Sequence, residues 1–240
     1  KSSAASDVYK RQIMKIDKSP ETIHKMFNSV AQRYDSLNNL MSFGTHNYVK
    51  YMSIKNLDIK PHDSVLDLCC GTGDLARIVK KIQPEAHVTG IDFSEKMLEI
   101  AVSKNPNIPA RQVKYIQGDV TDLPYDNNSF DFVTMGFGLR NISNAEKAVE
   151  EAYRVLRPQG CFLHLDFGKK NIVSKIYDKT TPLLIRLASG NSISYSYLIN
   201  SKKIFPLPEE LIKDFESKGF KLKKREDYLL GVISAQIMTK

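Results

Sequence analysis

Hydrophobic and polar positions change rhythm along the chain. From Ser19, a Ser-Pro-Glu-Thr start leads into Ile23, Met26, Phe27 and Val30 at helical spacing. This predicts an amphipathic helix capped by Ser19, with Pro20 in its first turn. A second helix is predicted over residues 47–57. Beyond a Lys-Pro-His-Asp turn the pattern becomes short apolar runs alternating with amphipathic stretches. Strands are predicted at 64–68, 87–92, 113–117, 130–135 and 161–166, and helices at 74–82, 95–103 and 145–156. This β-α-β-α order defines an α/β class with a doubly wound, mostly parallel sheet and helices on both faces. Ligands bind such a sheet at the carboxyl ends of its strands. After Phe167 the rhythm is lost in a basic, Tyr-rich region reaching about Pro206. A helix near 208–218 and two terminal strands, 221–226 and 231–239, then close a seven-stranded sheet as a C-terminal antiparallel hairpin.

The first twelve residues carry no periodicity and are read as a non-native leader. Residues 13–240 are read as one domain: an N-terminal helical cap (13–60), a cofactor-binding core (61–168), a substrate- and membrane-facing insert (169–207) and a closing helix with two strands (208–240).

At 42% apolar and 26% charged residues, the 240-residue chain has the composition of a globular protein. Its longest apolar runs fall well below the roughly 18 residues a membrane span requires. Three cysteines, two of them adjacent, give neither a disulfide framework nor a zinc site, so no metal is expected and the compartment is read as reducing and cytoplasmic. The net charge is +8, and the segment from Lys169 to Lys203 holds seven basic residues against one acid.

Chemistry is first visible in VLDLCCGTGD, Val65 to Asp74, a strand entering a glycine turn at the mouth of a helix. Gly71 and Gly73 permit torsions and a close ligand approach that a side chain would block. A dinucleotide has to be weighed, because Ala76 completes a Gly-x-Gly-x-x-Ala pattern. Its pyrophosphate, however, would face Asp67 and Asp74, two carboxylates of its own sign. A ligand bearing a sulfonium and an ammonium would be attracted by them, and S-adenosyl-L-methionine is such a ligand. Asp92 ends the next strand at the offset where an acid meets ribose hydroxyls, and Asp119 ends the one after, where it could meet an adenine edge.

These residues, with SFDFVTMGFGLRN and RVLRPQG, resemble the class I methyltransferases. More narrowly, the chain resembles the ubiquinone/menaquinone biosynthesis C-methyltransferases through Tyr34-Asp35-Ser36-Leu37-Asn38 with Ser42 and His46, through Arg154–Pro158 to Asp166, through Phe137–Asn141, and through Tyr195–Leu198 with Phe205 and Pro206. The resemblance implies a Rossmann-like fold and places cofactor contacts on Thr72, Asp92, Asp119 and Val120. Gly136 stands where the family often has a serine touching the cofactor, and with Asp67, Gly71 and Gly73 it completes the expected set.

The acceptor this implies is a polyprenylated quinol, with demethylmenaquinol ahead of a methoxy-benzoquinol. The chain lacks the prolines that follow the fourth strand in methyltransferases acting on exocyclic amines. Methylation at carbon needs a hydroxyl at least partly deprotonated, and a fixed cation would stabilise the developing phenolate. Arg140 is expected to supply that cation and Asn141 to orient a water or ring oxygen. His46, Asp35, His164 and Asp166 are the base candidates, of which His46 and Asp166 join the expected catalytic set. Tyr34, Asp35, Asn38, Tyr195 and Tyr197 are expected to bind substrate. A bilayer-borne acceptor would suit a protein held peripherally at the inner face of the membrane by its basic segment. Self-association into a homodimer stays open. Nucleic acid is the rival partner for a basic chain, but no RNA-binding motif accompanies the charge, and none is expected as a partner.

Overall fold

The computed structural model describes residues 17–42, 44–109, 112–169, 171, 174–175, 197, 201–202 and 204–240. Two helices open the chain, α1 (Pro20–Ser42) and α2 (Thr45–Lys55). The alternating core follows as β1 (Ser64–Leu68), α3 (Asp74–Ile82), β2 (His87–Asp92), α4 (Glu95–Ser103), β3 (Lys114–Gln117), β4 (Phe130–Gly136), α5 (Ala145–Val155) and β5 (Leu156–Phe167). Helix α6 (Pro208–Ser217) and strands β6 (Lys221–Tyr228) and β7 (Ile233–Thr239) end it. The seven strands are ordered β3-β2-β1-β4-β5-β7-β6. The first five run parallel, and β7 lies antiparallel between β5 and β6. Order reverses between β1 and β4, the place where such sheets open a crevice for ligands.

Alternation along the strands divides the core in two. Leu66, Leu68, Val133, Met135 and Phe162 face α5 and α6, whereas Val65, Leu163, Leu165 and Ile237 face α2 and α3. On the first face the rings of Phe162, Phe215 and Phe220 meet at 5.4 to 6.5 Å between centroids. Helix α1 begins as expected, with the Thr22 amide donating to Ser19 Oγ at 3.4 Å. It buries Ile23, Ala31 and Leu37 and packs against α4.

Most boundaries match the sequence pattern, with two informative departures. Strand β5 starts at Leu156, five residues before the expected Cys161, because Leu156 pairs with Phe130 across a register shift in β4. The Arg-Pro-Gln-Gly stretch inside it bends sharply: Gln159 is left-handed (φ 67°), and a side chain at Gly160 would stand 2.9 Å from the carbonyl oxygens of Arg157 and Asp131. Strand β7 starts at Ile233 rather than Gly231, because residues 229–231 form a tight turn with positive φ throughout.

Phe215 is fully buried among three other rings. Phe215→Ala should therefore lower the unfolding free energy by about 3–5 kcal/mol, the cost of a large core truncation. Urea denaturation reads this directly, with Val102→Ala on the exposed side of α4 as a near-neutral control.

Candidate active site

At the carboxyl ends of the parallel strands lies a cavity of about 820 Å³, part of it open to solvent. Its floor is made by Cys69, Gly71, Asp92, the run Gly118–Thr121, the run Gly136–Gly138 and Asn141–Ser143. Helix α1 and the residues before it roof the cavity with Lys18, Ile23, Phe27 and Tyr34.

The glycine turn folds as its residue types require. Cys69, Gly71 and Gly73 all have positive φ (53°, 54° and 81°). The two glycines serve different purposes: a side chain at Gly71 would meet no protein atom within 4 Å, whereas one at Gly73 would strike the Tyr115 hydroxyl at 2.1 Å. Gly71 borders the cavity, and Gly73 is set by packing instead. The Gly71 amide donates to Asp92 Oδ2 at 2.8 Å and the Ser94 amide to Asp92 Oδ1 at 2.9 Å. Burial pushes the Asp92 carboxyl up, and these amides draw it back. Each oxygen keeps a lone pair for a further donor. Asp119 closes a local turn by accepting from the Thr121 amide and hydroxyl, both at 2.8 Å, and borders the cavity with Val120.

The repulsion expected from Asp67 and Asp74 is corrected by the geometry. Asp67 does not line the cavity; it points beneath the turn and accepts from Thr134 Oγ1 (2.7 Å) and the Ala76 amide (3.2 Å). Burial pushes its carboxyl up to about 7 against those two bonds. Asp74 is matched by Lys50 (2.7 Å) and Arg77 (2.6 Å). Burial works to raise this acid, but the two cations outweigh it and hold it at about 2. The acids that do border the cavity are Asp92 and Asp119. Thr72 is turned away as well, its hydroxyl donating to Asp35 Oδ1 at 2.7 Å. Gly136 lines the cavity, and a side chain there would press on Leu75 at 2.7 Å.

Beside the cavity lies a buried ion pair. Arg140 Nη1 donates to both oxygens of Asp166, at 2.8 and 3.1 Å, with side-chain exposures of 7% and 1%. The guanidinium also lies over the rings of Phe137 (5.8 Å) and Phe167 (5.2 Å). Among the described residues, three buried polar atoms around it have no hydrogen-bond partner: Arg140 Nε, Asn141 Oδ1 and the Tyr197 hydroxyl. Burial pushes the Tyr197 phenol up to about 12, with Arg140 opposing. Tyr195 lies outside the described residues.

His164, expected to share a strand face with Asp166, is fully buried there. Its tautomer follows from donor counting. Asp227 can only accept, so Ser234 Oγ gives it the hydroxyl proton (2.8 Å) and must accept from Gln236 Nε2 (2.8 Å). Gln236 Oε1 then faces His164 Nδ1 at 2.7 Å, so Nδ1 carries the hydrogen and the unpartnered Nε2 is a bare lone pair. Burial pushes the His164 pKa down, which keeps the ring neutral.

His46, one of the base candidates, lies in the cap as expected, on α2. Its Nδ1 lies 2.6 Å from Ser42 Oγ, whose own proton goes to the Asn38 carbonyl (2.6 Å). Burial and Lys50 depress its pKa. Asp35 accepts from Thr72 and Lys104, fastening α1 to the glycine turn and to the end of α4. Of the cap residues expected to bind substrate, Tyr34 lines the cavity, with its ring at the edge of Phe27. Sequence reasoning missed Lys18, Phe27, Phe93 and the Asn28–Ser94 bond (2.6 Å) that seats α1 on α4. The spacing of Ile23, Phe27 and Tyr34 along one helix face was the available signal. Cys69 borders the cavity, but burial pushes its thiol well up, in keeping with a packing role. Among the described residues, no group of His, Cys, Asp and Glu could hold a metal ion.

Solved structures share this architecture. A methyltransferase from Thermotoga maritima, dependent on S-adenosylmethionine, superposes with a TM-score of 0.66 at 21% identity, over 91% of this chain and 99% of that one. Haemonchus contortus phosphoethanolamine N-methyltransferase 2, solved with S-adenosylhomocysteine, gives 0.56 at 22% identity, over 75% of this chain and 38% of that one. The fold is that of S-adenosylmethionine-dependent methyltransferases. The cavity suits the cofactor, since it offers a backbone turn open at Gly71 and a buried carboxylate with lone pairs to spare. The chain belongs to the ubiE/COQ5 methyltransferase family, whose model matches residues 14–240. The demethylmenaquinone methyltransferase of Staphylococcus aureus is 36% identical over 207 residues, covering 83% of this chain and 85% of the relative.

The raised Asp67 carboxyl gives a pH signature. A group whose folded-state pKa lies above its unfolded value keeps its proton after the unfolded chain has lost it. Its contribution to stability is fully present below about pH 4 and is lost as the pH rises to about 7. Asp67→Asn should remove that decline. Urea unfolding of both proteins between about pH 4 and pH 8 should therefore show the variant gaining on the wild type as the pH rises; parallel curves would contradict the assignment.

Proposed function

We propose that this protein methylates a ring carbon of a polyprenylated quinol, with demethylmenaquinol giving menaquinol as the reaction, at the inner, cytoplasmic face of a membrane. The observation that carries this reading is the chamber around Arg140, where a buried cation lies among unpartnered donors and an unpartnered acceptor beside the cofactor cavity. A hydroquinone offers hydroxyls that both donate and accept, which matches such a set. The naphthoquinol is favoured over a methoxy-benzoquinol by the name of the Staphylococcus aureus relatives.

S-adenosylmethionine supplies an electrophilic methyl group on a sulfonium. Asp92 would accept from the ribose hydroxyls, Asp119 and Val120 would border the base, and Gly71 and Gly136 would leave room for the chain. The acceptor must lose the proton of the carbon that gains the methyl, and its hydroxyl must carry developing negative charge meanwhile. Arg140, buried and fixed by Asp166, would stabilise that charge, and Asn141 and Tyr197 would orient the ring oxygens. Asp166 is committed to Arg140, so its part is to hold the cation in place. His46, whose pKa burial and Lys50 lower and whose Nδ1 faces Ser42, is the cap's candidate for taking up a proton at Nε2. Among the described residues no helix is long and apolar enough to cross a membrane. Attachment would fall to the basic segment, Lys169 to Lys203.

Two measurements test this reading. Asp92→Ala should weaken S-adenosylmethionine binding by about 1.5–3 kcal/mol, the range for a hydrogen bond to a charged group; unchanged affinity by calorimetry in a folded variant would reject the placement. Labelled S-adenosylmethionine should deliver its methyl to reduced demethylmenaquinone and not to bulk RNA. In that assay Arg140→Ala, made together with Asp166→Asn so that no buried carboxylate is left alone, should lower kcat roughly 100-fold or more with a smaller change in KM. A loss confined to KM would reassign Arg140 to docking, and label in RNA alone would overturn the quinol reading.

A further inference from the structure

Residues 229–231 join β6 to β7 beyond the carboxyl end of β5, because Phe167 pairs with Ile233 and Ile233 with Tyr228. The turn therefore stands on the rim of the sheet where the cavity opens. Its two leucines are unusual in both exposure and conformation. Leu230 is 81% exposed, the most exposed large hydrophobic side chain among the described residues, and Leu229 is 41% exposed. Both are left-handed, with φ of 52° and 56°. Such a conformation suits glycine or asparagine and penalises leucine. Neither side chain recovers that penalty by burial in the protein.

The turn is nevertheless held firmly. Lys169 donates its amide to the Gly231 carbonyl (2.7 Å), Gly168 to Val232 (2.8 Å) and Asn171 Nδ2 to Leu230 (2.7 Å). The approach is close enough that a side chain at Gly168 would stand 2.4 Å from the Gly231 oxygen. The strand holding the leucines out is thus bonded to the first residues of the basic segment. Lys169 and Lys175 are exposed there; Asp227, two positions before Leu229, pairs with Lys169 and Arg225, and Arg225 pairs with Glu209 as well, so Lys175 carries the surplus charge of this group.

We propose that Leu229 and Leu230 form a rigid prong that inserts between the lipids of an anionic membrane surface while the adjoining lysines meet the headgroups. Two side chains at one tip offer far less than the roughly 1,000 Å² a stable protein interface buries. A bilayer, in contrast, can receive a narrow apolar prong whatever its outline, and adjoining basic charge adds attraction to anionic headgroups. The proposal rests on the reading of a bilayer-borne acceptor, because it sets the cavity rim against the surface that would carry one.

The test compares wild type with Leu229→Asn/Leu230→Asn, a change that fits left-handed backbone and should keep or raise the melting temperature. In flotation with vesicles of phosphatidylcholine containing phosphatidylglycerol, the wild type should partition to the lipid and the variant should lose about tenfold or more, the worth of losing even one leucine's burial. Leu222→Asn, at the opposite end of β6 and also 41% exposed, should float as the wild type does. Equal flotation of wild type and the double variant would overturn the proposal, as would a wild type that floats on neither anionic nor neutral vesicles. A self-association lost in the double variant without any flotation would assign the prong to a second copy of the chain, and so overturn the proposal too. Methyl transfer to a short-chain, water-soluble quinol should be equal in wild type and variant. Its absence from the wild type would sink the quinol reading and leave the flotation result standing.

Discussion

The contact between Arg140 and Asp166 is the interaction around which the wall beside the cavity is built. Both charges have left water, a loss that only close, multiple hydrogen bonding can offset. The guanidinium meets this by giving one nitrogen to both carboxylate oxygens and its faces to Phe137 and Phe167. Its position then dictates the loop after β4. Phe137 takes a left-handed backbone, and Gly138 lies so close to Cys69 that a side chain would stand 2.6 Å from its Cβ. Removing either charge would leave the other buried and alone, so the pair is kept or lost as a unit.

The fold was legible because its signals are local. Strand and helix periods, glycine turns and helix caps are each written within a few residues, and the parallel crossovers follow from connection rules. The departures arose where a distant partner decides: Leu156 extends β5 because Phe130 lies opposite, and Leu229–Leu230 shorten β7 through their backbone conformation.

The site was less legible for the same reason. That Asp67 and Asp74 flank a glycine turn is visible in the sequence. That one turns beneath it to Thr134 and the other meets Lys50, 24 positions away, is not. Arg140, Asn141 and Asp166 were found together because a family resemblance brought them forward, whereas spacing alone places Asp166 only on a strand. The roof was hidden for a further reason. Asn28–Ser94, His24–Phe93 and Asp35–Thr72 are contacts between an amphipathic helix and turns far along the chain, and the helix's own periodicity says only which face is apolar.

The chain of bonds from Asp227 through Ser234 and Gln236 to His164 can run in one direction only, because its first member cannot donate. The state of a buried ring is thereby set by a carboxylate on the outermost strand. In terms of inheritance, these four positions form one character spread over three strands. Replacing Ser234 by alanine would free the Gln236 amide to turn over, and His164 would then be offered a donor where it now meets an acceptor. Substitutions at these places should be tolerated in sets more readily than singly, so a change on the edge strand β6 carries consequences for the centre of the sheet.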